Sequence, residues 1–127
     1  SYGMKHIYRK SSLDKMYALL KENNMLILAS DQDAKKRGVF VTFFDQPSST
    51  PKGSAIFHMQ SGAPMVFSVA HKEKDGTVVI SFSKIELNSS ASIETITQTY
   101  TTMLEEKVRE YPDHYFWFHR KWKTRTE

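Results

Sequence analysis

Two carboxylates, Asp31 and Asp33, stand one residue apart just after the apolar run Met25-Leu26-Ile27-Leu28-Ala29. In open α/β sheets ligands gather at the carboxyl ends of the strands, so acids at such an exit are placed to meet one. Paired carboxylates there could hold Mg²⁺ against a phosphate, as in sugar-nucleotide or phosphoryl transferases. An aspartyl-phosphatase pattern would want Thr or Val two residues past the second Asp, where this chain has Lys35. The plain alternative is that Asp31 caps a loop or pairs with an arginine while Asp33 is solvated. A second grouping is Thr50-Pro51-Lys52-Gly53. Thr can cap a helix whose first position tolerates Pro, and free amides, a cation and a glycine then suit an approaching anion. An ordinary helix cap uses the same residue types. The third is the tail from Tyr115 to Arg125, where Trp117 and Trp122 alternate with Arg120, Lys121, Lys123 and Arg125. Its aromatics, Trp117 and Phe118, are expected to pack inward, with the cations outward and Trp122 at headgroup level, as at a phosphate-bearing or membrane surface. Arg9, between Tyr8 and Lys10, is a lone cation ahead of the first helix.

Other chemistries have no support. There is no cysteine, which removes disulfides, thiolate metal sites and cysteine nucleophiles. His6, His58, His71, His114 and His119 form no His-x-x-x-His pair, and Gly53-Ser54 lacks a nucleophile elbow, so no metal site and no serine nucleophile is expected. The net charge of +4 is too small to name nucleic acid as partner. The longest apolar run, about five residues, falls far short of the ~18 needed to span a bilayer.

These residues need elements to position them. Leu13, Met16, Tyr17 and Leu20 recur at helical spacing behind a capping-box-like Ser11 and Asp14, and Asn23-Asn24 ends that helix. The run at 25–29 reads as a strand buried on both faces of a parallel sheet. Val39 to Phe44 reads as a second strand, Asp45 to Thr50 as a polar turn, and Thr50-Pro51 as the start of a helix ended by Gly62. Residues 65–70 and 77–82 read as an antiparallel pair turned at Lys74-Asp75-Gly76, with Val78, Ile80 and Phe82 on one face. Ile93, Ile96, Tyr100, Met103, Leu104 and Val108 mark a long helix that stops at Tyr111 because Pro112 follows. The order predicts one α/β domain with a mostly parallel mixed sheet flanked by helices.

Taken together, Tyr8-Arg9-Lys10, Asp31-Gln32-Asp33, Val39-Phe40-Val41-x-Phe43-Phe44, Thr50-x-x-Gly53, Gly62-Ala63-Pro64, Leu104-Glu105 with Arg109, and Trp117-x-His119-Arg120 resemble the late acyltransferases of lipid A biosynthesis. These are the lauroyl/myristoyl transferases of the lysophospholipid acyltransferase superfamily. Asp45, Phe67 and Thr126 depart from its usual residues. The resemblance implies that residues 1–127 are the C-terminal portion of one acyltransferase domain with a partial glycerolipid-acyltransferase-like fold. The catalytic His-x4-Asp/Glu and the membrane anchor would then lie upstream. It implies fatty acyl transfer from an acyl carrier protein thioester to a hydroxyl of a phosphorylated lipid A precursor, without metal or cofactor, at the cytoplasmic face of a bacterial inner membrane. Arg9 would stabilise the oxyanion or a phosphate, and Asp31 would position Arg9 or the acceptor. Thr50, Lys52 and Gly53, with Arg120 and Lys121 on the tail, would face the acceptor and an anionic membrane surface. The chain alone is expected to be inactive and, through exposed sheet edges, to associate with other chains. The rival readings are an Mg²⁺-dependent transferase built on Asp31 and Asp33, and a non-enzymatic module that binds anionic lipid or nucleic acid.

Overall fold

The computed structural model describes Gly3, residues 5–7 and residues 13–126. Helix α1, Leu13–Lys21, half-buries Met16, Tyr17, Leu19 and Leu20, with the Tyr17 ring 4.8 Å from that of Phe57, and ends where Asn23 turns left-handed and the Asn24 amide donates to the Leu19 carbonyl. Its expected cap, Ser11, lies outside the described residues.

The run at 25–29 is not a strand. It carries no regular secondary structure and has no strand partner among the described residues, with Met25 77% and Ile27 67% exposed. A continuous apolar run is a strand only when neighbours pair with its backbone and layers cover both faces, and the described residues supply neither.

The next segment forms a hairpin: β1, Val39–Phe43, pairs antiparallel with β2, Gln46–Thr50. Phe44 and Asp45 both have positive φ, 50° and 58°, which is the two-residue turn whose twist suits a hairpin. The polar stretch expected to be a turn is therefore mostly strand. Phe43 and Gln46 flank the turn as a hydrogen-bonded pair, so Thr42 and Pro47 face each other as a non-bonded pair, and the missing proline N–H leaves no gap in the ladder. On the outer edge of β1 the Gln98 side chain imitates a strand. Its Oε1 accepts from the Thr42 amide at 2.8 Å and its Nε2 donates to the Thr42 carbonyl at 2.9 Å.

Helix α2, Gly53–Ser61, follows Lys52 and closes at Gly62, whose φ of 70° is the left-handed cap conformation. Thr50 does not cap it, being the buried last residue of β2. Strands β3, Val66–Lys72, and β4, Val78–Lys84, pair antiparallel as expected. The register puts Val66, Ala70, Val78, Ile80 and Phe82 on one face, and that face is open to solvent, while Phe67 turns inward. Helix α3, Ile93–Glu110, is capped by Ser92 Oγ, which accepts from the Thr95 amide at 3.1 Å.

Both sheets are two-stranded and antiparallel, and the described residues contain no parallel pair, contrary to the expected mostly parallel sheet. The short turns close local hairpins, whereas a parallel pair needs a crossover between strands of one sheet. Here the strands on either side of α2 belong to different sheets. The main core lies between α2, α3 and the second hairpin, built on Ala55, Ile85, Ile96 and Tyr100, and the Tyr100 hydroxyl donates to the Pro51 carbonyl. Among the described residues no helix is long and apolar enough to cross a membrane.

Gly38 enters β1 in close quarters. A Cβ there would lie 2.3 Å from Ser49 Oγ and 2.9 Å from the Thr50 carbonyl oxygen, which is backbone and cannot swing aside. Gly38→Ala is therefore expected to lower unfolding stability by about 1–3 kcal/mol. A urea titration with an unshifted midpoint would contradict this packing.

Candidate functional site

After α3, a 3₁₀ turn at Pro112–His114 sends the tail back across the first hairpin. The tail does not lie on the surface as a solvated terminus. Trp122 stacks on Phe43 with ring centroids 5.6 Å apart, and its indole N–H donates to the Phe43 carbonyl at 3.2 Å. Tyr115 packs against the same phenyl ring at 5.9 Å. The expected orientation is exchanged for two of the three rings: Trp122 is inward and Phe118 is 90% exposed, whereas Trp117, though 46% exposed, lays its ring against Phe44 and Tyr115 at 5.8 and 4.9 Å. The reason is geometric, since the tight turn at 116–119 projects Phe118 away from the hairpin, and Trp122 meets Phe43 only after it.

The docking point is Asp33. Its amide donates to His119 Nε2 at 2.8 Å, and its carboxylate accepts from the Thr124 hydroxyl at 3.0 Å, the Thr124 amide at 3.4 Å and the Lys35 amide at 3.2 Å. Asp33 is thus a tether, not the solvated carboxylate of the plain reading. Both of its oxygens are committed to protein donors, and no three His, Asp or Glu side chains of the described residues gather as a metal-binding group.

Beside this tether sits a lysine with no exposed surface. Lys121 donates from Nζ to Thr50 Oγ1 at 3.2 Å and lies 5.8 Å from the centre of the Phe43 ring. The cations of the tail were expected to point outward, and Arg120, Lys123 and Arg125 do; Lys121 does not. Burial pushes its ammonium down to about 8, and the charges of Asp31 and Asp33 offset only part of that cost. Burial, and after it the charge of Asp31, pushes the Tyr115 phenol up to about 12. Asp31 is exposed, and its charge reaches both Tyr115 and Lys121.

The same loop reaches the start of α2. Ser30 Oγ, next to Asp31, lies 3.1 Å from Ser54 Oγ, next to Gly53. Nothing stands within 4 Å of where a Gly53 Cβ would be, and Lys52 occupies the helix N-cap without a side-chain cap bond. The structure so brings Asp31, Thr50, Lys52, Gly53 and Lys121 to one end of the first hairpin and exposes Arg120 on the tail beside it. Arg9 lies outside the described residues. His119, Tyr115 and Thr124 were not singled out as site residues from the sequence. Their partners stand more than 70 residues away, and spacing along a chain carries no signal for such pairings.

A second brace fixes the far end of the hairpin. Glu105 Oε2 accepts from the Phe44 amide at 2.7 Å, and Arg109 holds Glu105 at 2.6 Å while lying 4.6 Å over the Phe44 ring. Partial burial works against the charge of Glu105, but the Phe44 amide and Arg109 outweigh it and hold the carboxyl below its usual value. A cleft of about 600 Å³ between β1 and α3, lined by Phe40, Gln98, Thr102 and Met103, includes none of Asp31, Thr50, Tyr115 and Lys121.

Residues 1–124 match the family described as bacterial lipid A biosynthesis acyltransferase. Among curated proteins, the chain is similar to a lipid A biosynthesis palmitoleoyltransferase of Escherichia coli (strain K12), 26% identical over 119 residues. It is equally similar to a lipid A biosynthesis acyltransferase of Shigella flexneri. In each case the alignment covers 91% of this chain and 39% of the relative, so the chain spans about two fifths of the length of these proteins.

The buried lysine has a measurable signature. Between about pH 8 and pH 10 the unfolded chain holds the Lys121 proton more tightly than the folded chain, so folding stability should rise with pH across that window. Thermal melts of the wild type should show this rise, and those of Lys121→Met should lack it. Parallel pH profiles for the two would mean that Lys121 is not buried as described.

Proposed function

Because the chain belongs to the bacterial lipid A biosynthesis acyltransferase family, we propose that it forms the acceptor side of a fatty acyl transfer from an acyl carrier protein thioester to a hydroxyl of a lipid A precursor. In that reaction a general base takes the hydroxyl proton, and the oxygen attacks the thioester carbonyl. The resulting oxyanion then collapses and expels the thiolate. None of the five histidines here is followed by Asp or Glu five residues on, so the His-x4-Asp/Glu base of such a reaction is not contributed by this sequence.

What this chain contributes is position and charge. The exposed Asp31 would orient Arg9 or the acceptor, and Arg9 would stabilise the oxyanion or a substrate phosphate. The α2 amides, open above Gly53, and the cations Lys52 and Arg120 suit a phosphate of the acceptor. Lys121, expected to touch substrate, acts in this reading from behind, holding Thr50 and lowering the repulsion between Asp31, Asp33 and an incoming anion. The observation that carries the proposal is the family match over residues 1–124, together with the approach of the Asp31–Asp33 segment, the Thr50–Gly53 segment and the tail at one end of the hairpin.

The test is turnover by the full-length protein with an acyl carrier protein thioester and a phosphorylated lipid A precursor. Arg9→Ala and Asp31→Ala should each lower turnover by about 10²–10³ with little change in melting temperature. Gly53→Ala should keep its stability and raise the KM for the acceptor, because the added methyl enters the open space over the helix start. Wild-type rates in Asp31→Ala, or activity restored to it by Mg²⁺, would overturn the assignment. The 127-residue chain alone should give no turnover.

A further inference from the structure

We propose that the turn at 116–119 is an interfacial wedge that inserts into the surface of an anionic lipid bilayer. Phe116 and Phe118 project from it at 66% and 90% exposure, with ring centroids 5.9 Å apart, as one apolar knob. Trp117 between them is half exposed, and its indole N–H is already satisfied by the Pro112 carbonyl at 2.6 Å. The turn is stiff. The Trp117 amide donates to Tyr115 at 2.9 Å and the His119 amide to Phe116 at 3.1 Å, and the segment behind them is fixed by Asp33, Thr50 and Phe43. The aromatic rings therefore pay little ordering entropy on insertion.

The surroundings identify the occupant. From His114 to Thr126 there is no acidic residue, and Arg120, Lys123 and Arg125 are exposed on the segment that follows the knob. A convex apolar tip with cations set behind it matches the layering of a bilayer surface, with acyl chains below anionic headgroups. A protein partner would instead need a concave site and a contact surface of about 800 Å² on each side, far more than two or three side chains of a turn present. The inference goes beyond acyl transfer and reads binding alone, so vesicle binding and turnover can fail independently.

The experiment is co-sedimentation of the purified chain with vesicles of phosphatidylcholine, with and without about 30% phosphatidylglycerol, alongside Trp fluorescence. The expected result is binding to the anionic vesicles with a blue-shifted emission, and weak binding to the neutral ones. Phe116→Ser/Phe118→Ser should bind at least about tenfold more weakly while keeping its melting temperature, since both rings are exposed in the folded chain. Arg120→Gln/Lys123→Gln should weaken binding more than Lys15→Gln/Lys21→Gln on α1, which removes the same charge. Wild-type binding by the Phe variant would overturn the proposal, as would equal losses from the two charge pairs. Self-association abolished by the Phe variant, without vesicle binding, would show a protein contact instead and would also overturn it.

Discussion

The structure turns on the closure of Asp33 by the tail. One residue offers its amide to His119 and its carboxylate to Thr124, joining parts of the chain 86 and 91 residues apart. Closing so long a loop is entropically unfavourable, and the hydrogen bonds alone would not hold it; the stacking of Trp122 and Tyr115 on Phe43 supplies the apolar burial that does. Once closed, the tail seals one side of β1 and β2 and fixes the direction of the Asp31 loop. On the other side, Gln98 and the Glu105–Arg109 pair tie the outer edge and the turn of the same hairpin to α3. A two-stranded sheet, marginal alone, is thereby held from both sides.

Lys121 is the costly member of this arrangement. A lysine without exposed surface must be compensated, and here it has one hydroxyl partner, an aromatic ring and the field of two aspartates. The compensation is partial, as its depressed ammonium shows. Such a group contributes less to stability than a hydrophobe of its shape would, yet it links β2 and the tail to the acid loop. That linkage places the positive charge behind the site, leaving Arg120 and Lys52 as the cations available at its rim.

Much of this was legible in the sequence and some was not, for identifiable reasons. α3 and the second hairpin were readable because periodicity and turn signals report local structure: the stripe from Ile93 to Val108, the Asp75-Gly76 turn and Pro112 act on their neighbours. The hairpin of β1 and β2 was half hidden. Phe44 is an unfavourable residue for positive φ, and Ser48, Ser49 and Thr50 are polar residues buried by tertiary contacts, with the Ser49 hydroxyl donating to the Lys35 carbonyl at 2.5 Å. The run at 25–29 carries the composition of a buried strand without finding a pairing partner among the described residues. In the tail, residue types indicated one wet and one dry face, but the turn at 116–119 decides which residue goes where, and it exchanged Phe118 for Trp122 and buried Lys121. Of the candidate site, Asp31, Thr50 and Gly53 were found as separate motifs; their meeting depends on contacts across the chain that spacing cannot report.

The family motifs acquire physical meaning in this frame. Glu105 with Arg109 braces a turn, Trp117 and His119 anchor the returning tail, and Asp33 receives it. Asp31 and Arg120, by contrast, stay exposed. The most direct test that the tail builds this site is a double-mutant cycle in urea with Asp33→Ala and Thr124→Val. The two residues should couple by about 1 kcal/mol or more, with the double variant less destabilised than the sum of the singles. Additive effects, within about 0.3–0.5 kcal/mol, would mean that the tail does not close on Asp33.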